Sequence, residues 1–345
     1  VGEITYSPFA FAAIVFDIPP VRGANPGSQK VKERKMQNIQ TNQPSNGVLF
    51  EMLENRTLLS AAPHPAAAIT LDQAPQLNQP LKHAKAKVKK AKVKMPKAAP
   101  AIVEPAVTDP SITYRDFSKE PLFSSTGPSL NDINQGYVGD CYFLSTLSAV
   151  AATNPARIQN DIFANGDGTY TVKLVSHNKA QSVRVDAQLP VWPNGQLAYA
   201  GLGAEKSLWV AVMEKAWAQV RTKANSYASI ASGWMKEAFS ALGVKSKSVL
   251  KAKSATKLLT QLQADLKSGQ ATTIGTSNVP AGVSLIGDHA YEVDAIEVDA
   301  TGAPVSVRLR NPWGIDGIGS DGNNDGYVTI TGNQLFAAYA GVVSA

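Results

Sequence analysis

The chain has 345 residues, 44% apolar and 17% charged, enough for a sizeable core and about two domains, so a wholly disordered protein is excluded. Its formal charge of +6 is local: eight lysines fall within residues 82–97 with no acid among them, and the remainder is slightly acidic, which excludes a globally basic nucleic-acid-binding fold. The one cysteine, Cys141, excludes an intrachain disulfide and a paired-cysteine zinc or redox site, and four histidines leave little for an all-histidine metal centre.

Residues 9–16 are apolar, but no basic segment precedes them and Asp17, Pro19 and Pro20 follow. The run is too short to span a bilayer and lacks a signal peptide's flanks. The chain opens on Val1 and its first methionine is Met36, so residues 1–35 are expected to be an upstream artefact such as read-through. Residues 50–61 read FEMLENRTLLSA. They resemble the LEPR-x-LL segment near the N-termini of many exported proteins of one bacterial phylum: Leu53, Glu54, Arg56, Leu58 and Leu59 match, and Asn55 replaces the proline. That resemblance implies a bacterial protein with a cell-surface or extracellular address; the alternative is a short amphipathic turn in a cytoplasmic protein. Residues 61–111 are rich in Ala, Pro, Lys and Gln, and no aromatic residue occurs between Phe50 and Tyr114. Such a stretch cannot offset its ordering entropy and reads as disordered linker. Its lysine run is a solvated tether, or a contact to an anionic polymer or membrane surface.

From 112 on the sequence is globular. Phe143, Leu144, Leu147, Val150 and Ala151 recur at helical spacing, Asp140 stands at the N-cap position, and Asn154-Pro155 stops the helix. Cys141 then occupies the first turn, where the helix dipole favours thiolate. A cysteine alone reads more simply as a small buried hydrophobe. Residues 169–176 and 182–191 alternate as a hairpin around His177-Asn178, and residues 208–220 carry a wide apolar stripe including Trp209, Met213 and Trp217. Residues 256–266 read as helix, and 271–275 and 327–331 as strands. The segments 289–298 and 305–311 alternate on either side of a Thr301-Gly302 turn, which predicts a hairpin bringing His289 and Asn311 to one sheet end. Helices and antiparallel strands together predict a pair of lobes.

Seven blocks resemble the calpain family of papain-like cysteine peptidases: QGYVGDCYFLSTL at 135–147, VDAQLPVWPNG at 185–195, SLWVAVMEKAWAQ at 207–219, the SYASIASG region at 226–233, GDHAYEV at 287–293, VRLRNPWG at 307–314 and DGYVTIT at 325–331. They occur in family order over roughly 112–343. The resemblance implies an α+β, papain-like two-lobed cysteine peptidase core over 112–345, with a helix-rich first lobe at about 112–232 and an antiparallel-sheet lobe at about 233–345. It covers the catalytic core alone, without C2-like or EF-hand extension. By residue match Cys141 is the nucleophile, His289 the base, Asn311 the residue orienting the imidazole and Gln135 an oxyanion donor, with Trp313 beside the cleft. Tyr142 replaces the family's tryptophan.

The expected reaction is peptide-bond hydrolysis through a thiolate–imidazolium pair and an acyl-enzyme. Its expected partner is a protein or peptide substrate, with no nucleic acid. No cofactor is required. Calcium is a candidate only: Asp132 and Gly127 match two ligand positions of a first-lobe site, Ser207 stands at its glutamate position, and Gly317 stands where a further acid is expected. Asp321, Asn323 and Asp325 in DGNNDG have the oxygen spacing of a calcium loop, or of an ordinary polar turn. Two competing readings stay open: a catalytically idle calpain-like module that binds protein through a basic tether, and a cysteine acyltransferase of another fold. The sequence carries no signal of oligomeric state.

Overall fold

The structure, a computed structural model, describes residues 101–318 and 322–345. The N-terminal expectations, including the LEPR-x-LL-like motif and the lysine run, lie outside the described residues, as does Asp321. Residues 101–111, expected to end the linker, are ordered instead. Glu104 pairs with Lys215 Nζ at 2.5 Å, Ala106 bridges Ser226, and the Tyr114 hydroxyl donates to the Pro105 carbonyl at 2.5 Å. Composition misses this because the ordering partners are far away in sequence.

The fold is α+β. Strand β1 (Thr113–Asp116) leads to helix α1 (Cys141–Thr153), then α2 (Pro155–Asp161). Asn154 ends α1, and its side chain accepts the Arg157 N–H to start α2 with Pro155 in the first turn, where the missing N–H costs nothing. Strands β2 (Ile162–Ala164), β3 (Thr169–Ser176) and β4 (Lys179–Asp186) form an antiparallel meander. Its β3–β4 turn is His177-Asn178, with φ of 52° and 60°, the left-handed pair that suits the twist of a two-residue hairpin. Strand β5 (Gln188–Val191) pairs with β1, and helix α3 (Trp209–Val220) follows. Residues 209–218 of α3 are buried all round, Glu214 and Lys215 included, so the face expected to be polar is inside.

Helix α4 (Met235–Ala241) comes next, then β6 (Lys247–Val249), α5 (Ala255–Lys267), β7 (Thr272–Thr276), β8 (Ala290–Val298), β9 (Pro304–Arg310), β10 (Tyr327–Thr331), α6 (Gly332–Ala338) and β11 (Tyr339–Ser344). Six of these strands make one antiparallel sheet in the order β10-β9-β8-β7-β11-β6. Helices α5 and α6 cover one face of it over Leu258, Leu262, Leu309 and Ile330. Helix α1 packs on β7 and β8 from the other lobe. The first core, built on α1, α3 and the meander, extends through Phe239 and Leu242 of the α4 segment, ten residues past the lobe edge expected at 232. The small side chains of α1 face a close neighbour: Ser148 donates to the Glu292 carboxylate on β8.

Candidate active site

Cys141 begins α1, and the N–H groups of Phe143 and Leu144 reach back to the Asp140 carbonyl at 2.8 and 3.1 Å. Asp140 occupies the N-cap, but its side chain makes no capping bond. The approach to this helix needs glycine at 136, because a Cβ there would stand 2.2 Å from the Tyr199 carbonyl oxygen. Tyr142 fits its departure from the family pattern. Its hydroxyl donates to Ile230 O at 3.2 Å and accepts from Trp217 Nε1 at 3.0 Å, so the added polar atom is satisfied.

His289 stands just before β8, after Asp288 with φ of 50°. Its main chain is tied to β7: the Thr276 N–H donates to His289 O at 2.8 Å. Asn311 stands just past β9, where Pro312 ends the ladder, and its N–H donates to Gly326 O at 2.7 Å. The expected hairpin is therefore present, and its ends meet: His289 Nε2 lies 2.9 Å from Asn311 Oδ1. Asn311 Oδ1 also accepts the Trp313 N–H at 3.1 Å, while Nδ2 donates to Asp316 O at 3.1 Å. These contacts fix which end of the carboxamide faces the ring. Nε2 must then carry the hydrogen, and the Nδ1 of a neutral imidazole keeps its lone pair. Tyr291 and Trp313 flank the ring, each with its centroid 4.9 Å away.

The Ala290 N–H faces the Cys141 sulfur, which places the sulfur near the residue that follows His289 in the other lobe. Cys141 and His289 are each 4% exposed. Burial pushes the thiol up to about 12, with the Asp140 charge adding to the rise and the Ala290 N–H opposing it. Burial likewise pushes His289 down to about 4, against the Asn311 hydrogen bond. The helix-dipole argument predicts a thiolate; in the closed cleft desolvation outweighs it, and both groups rest uncharged. Beside His289 lies an apolar hollow of about 560 Å³ whose walls include Tyr142, Trp234, Met235, Leu250 and Ala290.

Gln135 sits at the same junction. Its N–H donates to Pro312 O at 2.8 Å, and Nε2 donates one hydrogen to Val138 O at 2.7 Å, while Oε1 is buried without a partner. Gly317, which sequence reasoning marked as a missing acid, packs against the site: a Cβ there would come within 3.0 Å of the Trp313 ring and 3.2 Å of Asn311 Nδ2. A side chain there would press on the oriented carboxamide and would be strained by the φ of 86°.

Asp132, the first-lobe calcium candidate, already has structural partners. Asp132 is fully buried. Its Oδ1 accepts Ala204 N–H at 2.7 Å, and its Oδ2 accepts Ser129 N–H at 2.9 Å and Trp209 Nε1 at 2.7 Å. Three N–H donors on one buried carboxylate make it a structural acceptor. Asp325 is exposed and caps its own turn through the Tyr327 N–H at 3.0 Å. Among the described residues no three His, Cys, Asp or Glu side chains group as a metal site.

Residues that sequence reasoning passed over also converge here. Glu214 reaches Asp140 behind the cysteine, and Arg310 Nη2 donates to Ile133 O at 3.2 Å across the lobes. Both were hidden in stretches read as apolar stripe or alternating strand.

Residues 113–323 match the family described as calpain family cysteine protease. The chain is 27% identical over 216 residues to a calpain-type cysteine protease of Oryza sativa subsp. japonica, covering 57% of this chain and 9% of that protein. It is 28% identical over 215 residues to calpain-8 of Mus musculus, covering 58% and 30%, and 28% identical over 211 residues to the calpain-2 catalytic subunit of Homo sapiens, covering 56% and 29%. It thus spans less than a third of the length of these relatives. With a matching region that fills more than half its length, the chain belongs to the calpain family of cysteine proteases.

Proposed function

We propose that this chain is a cysteine endopeptidase acting on protein or peptide substrates through Cys141, His289 and Asn311. The observation that carries the reading is the His289 Nε2–Asn311 Oδ1 contact at 2.9 Å, which leaves a lone pair on Nδ1 of the residue just before Ala290, whose N–H faces the Cys141 sulfur. Because both partners rest uncharged, His289 Nδ1 takes the thiol proton as the sulfur attacks the scissile carbonyl carbon. The oxyanion is held by the Cys141 N–H and by the second Nε2 hydrogen of Gln135; loss of one such donor typically costs about 10²–10³ in rate. His289 then gives its proton to the leaving amine. Water, deprotonated by the freed Nδ1, hydrolyses the thioester and restores the thiol. Asn311 holds the ring without adding charge. The apolar hollow beside His289 suits a bulky apolar side chain of the substrate.

The test is a covalent epoxysuccinyl inhibitor read by mass spectrometry together with peptide cleavage. Wild type should form one adduct, at Cys141, and cleave; Cys141→Ala should do neither. Cleavage by Cys141→Ala, or a folded wild type that neither cleaves nor reacts, overturns the reading, and the second result would favour an idle binding module.

A further inference from the structure

Two buried carboxyl groups meet behind Cys141 with no cation between them. Asp140 is 0% exposed and Glu214, on α3, is 1% exposed. Neither Asp140 oxygen is met by an N–H or hydroxyl donor from another residue; what interacts with them is the residue's own N–H and the Glu214 carboxyl. Glu214 accepts the Ala200 N–H on its two oxygens, at 3.2 and 3.1 Å. Among the described residues neither acid has an ion-pair partner. Lys215, beside Glu214 in sequence, is taken by Glu104 and Asp186, and Arg221, whose charge reaches Asp140 from the end of α3, is paired with Glu237. The other titratable groups that interact with the pair are the Cys141 thiol and the phenols of Tyr114, Tyr142, Tyr199 and Tyr227, all uncharged near neutral pH. Two carboxylates in contact, dry and without a counter-ion, cannot both be ionised.

We propose that Asp140 and Glu214 share one proton, donated by Glu214 to an ionised Asp140, and that the pair positions the Cys141 end of α1. It joins three segments around the cysteine. Asp140 supplies the carbonyl that starts α1, Glu214 belongs to α3, and Ala200 follows Tyr199, whose carbonyl oxygen lies against Gly136. Burial raises the pair above the ordinary carboxyl range, in keeping with a proton held between the two groups. The positioning role rests on the peptidase reading; the shared proton does not.

The sign of the pH effect follows. Folded Glu214 keeps its proton above the ordinary value of 4.5, whereas the unfolded chain loses it there. Its contribution is therefore fully present below about pH 4.5 and declines as pH rises, the unfolding constant growing about tenfold per pH unit until the pair ionises. Glu214→Gln still donates to Asp140 and accepts from Ala200, but has no proton to lose. Urea unfolding should show the variant gaining on wild type by about tenfold in the unfolding constant per pH unit between pH 5 and the pH at which the pair ionises. A variant that stays less stable than wild type at pH 8, or shows the same pH slope, overturns the shared proton. Wild type gives an independent readout: a protonated-carboxyl infrared band persisting at pH 8 and lost on unfolding is expected, and its absence overturns the proposal. For the link to the cysteine, alkylation by iodoacetamide reports on Cys141 alone, because the chain has no other thiol. Asp140→Asn should shift its pH profile toward acid by about one unit; an unmoved profile overturns the positioning role.

Discussion

At Asn311 one carboxamide does two jobs. Its oxygen takes the imidazole N–H and its own turn's Trp313 N–H, and its nitrogen is held by Asp316 O, so the ring cannot change tautomer without breaking the turn. Asp132 is similarly committed, with three N–H donors around one carboxylate. In Asp132→Asn an amide nitrogen must confront at least one of those donors. The substitution should cost about 3 kcal/mol or more in urea unfolding, since bonds to a charged group are worth about 1.5–3 kcal/mol each. The loss should be the same in calcium and in EGTA; a loss seen only with calcium would return the residue to a metal role. The placement of Cys141, His289 and Asn311 at element boundaries was legible in the sequence because each has distinctive neighbours. Asp140 and Glu214 were not, because a carboxyl–carboxylate contact joins positions that sequence marks only as a helix cap and as one polar residue within an apolar stripe.

Among elements, the contact between α1 and β8 joins the nucleophile's helix to the histidine's strand. Ser148 donates to Glu292, which lies across the ladder from Arg310 and near Asp294. Burial raises Glu292 to about 7, opposed by Ser148 and by the Arg310 charge. Ser148→Ala should destabilise the protein by about 1–3 kcal/mol, the cost of leaving a buried acceptor unmet. A double-mutant cycle with Glu292→Gln should show about 0.5–3 kcal/mol of coupling; additive effects would mean that the two side chains do not hold the lobes together. Long, strongly patterned elements could be read in advance: α1, α3, β3 with its turn, and β10 at its observed bounds; the second hairpin strand, expected at 182–191, is two strands instead, β4 ending at Asp186 and β5 pairing with β1. The misses are short or depend on distant partners. Helices α2, α4 and α6 have seven residues each, too few for a clear period. The β1–β5 register matches Thr113 to Val191, a pairing that neither local sequence announces. The irregularity between Val293 and Ala295 breaks the simple alternation read for β8.

For the molecule as a whole, Lys215 is the point where the N-terminal strap closes on the first lobe. Its side chain is fully buried, with Glu104 at 2.5 Å, Asp186 at 2.6 Å and the Gln188 carbonyl at 2.7 Å. Lys215→Ala should cost about 3–5 kcal/mol, because Glu104 and Asp186 lose a buried counter-charge. Glu104→Gln should cost less, since Asp186 still neutralises the ammonium; thermal unfolding of the two variants would rank them, and the reverse order would refute this account. The sheet order has its own consequence. Strand β11, made of Tyr339–Ser344, lies between β7 and β6 rather than at an edge. A ribosome must therefore deliver those six residues before β7, the support of His289, gains its second neighbour. Until then a nascent chain carries the thiol and the imidazole on an unfinished scaffold.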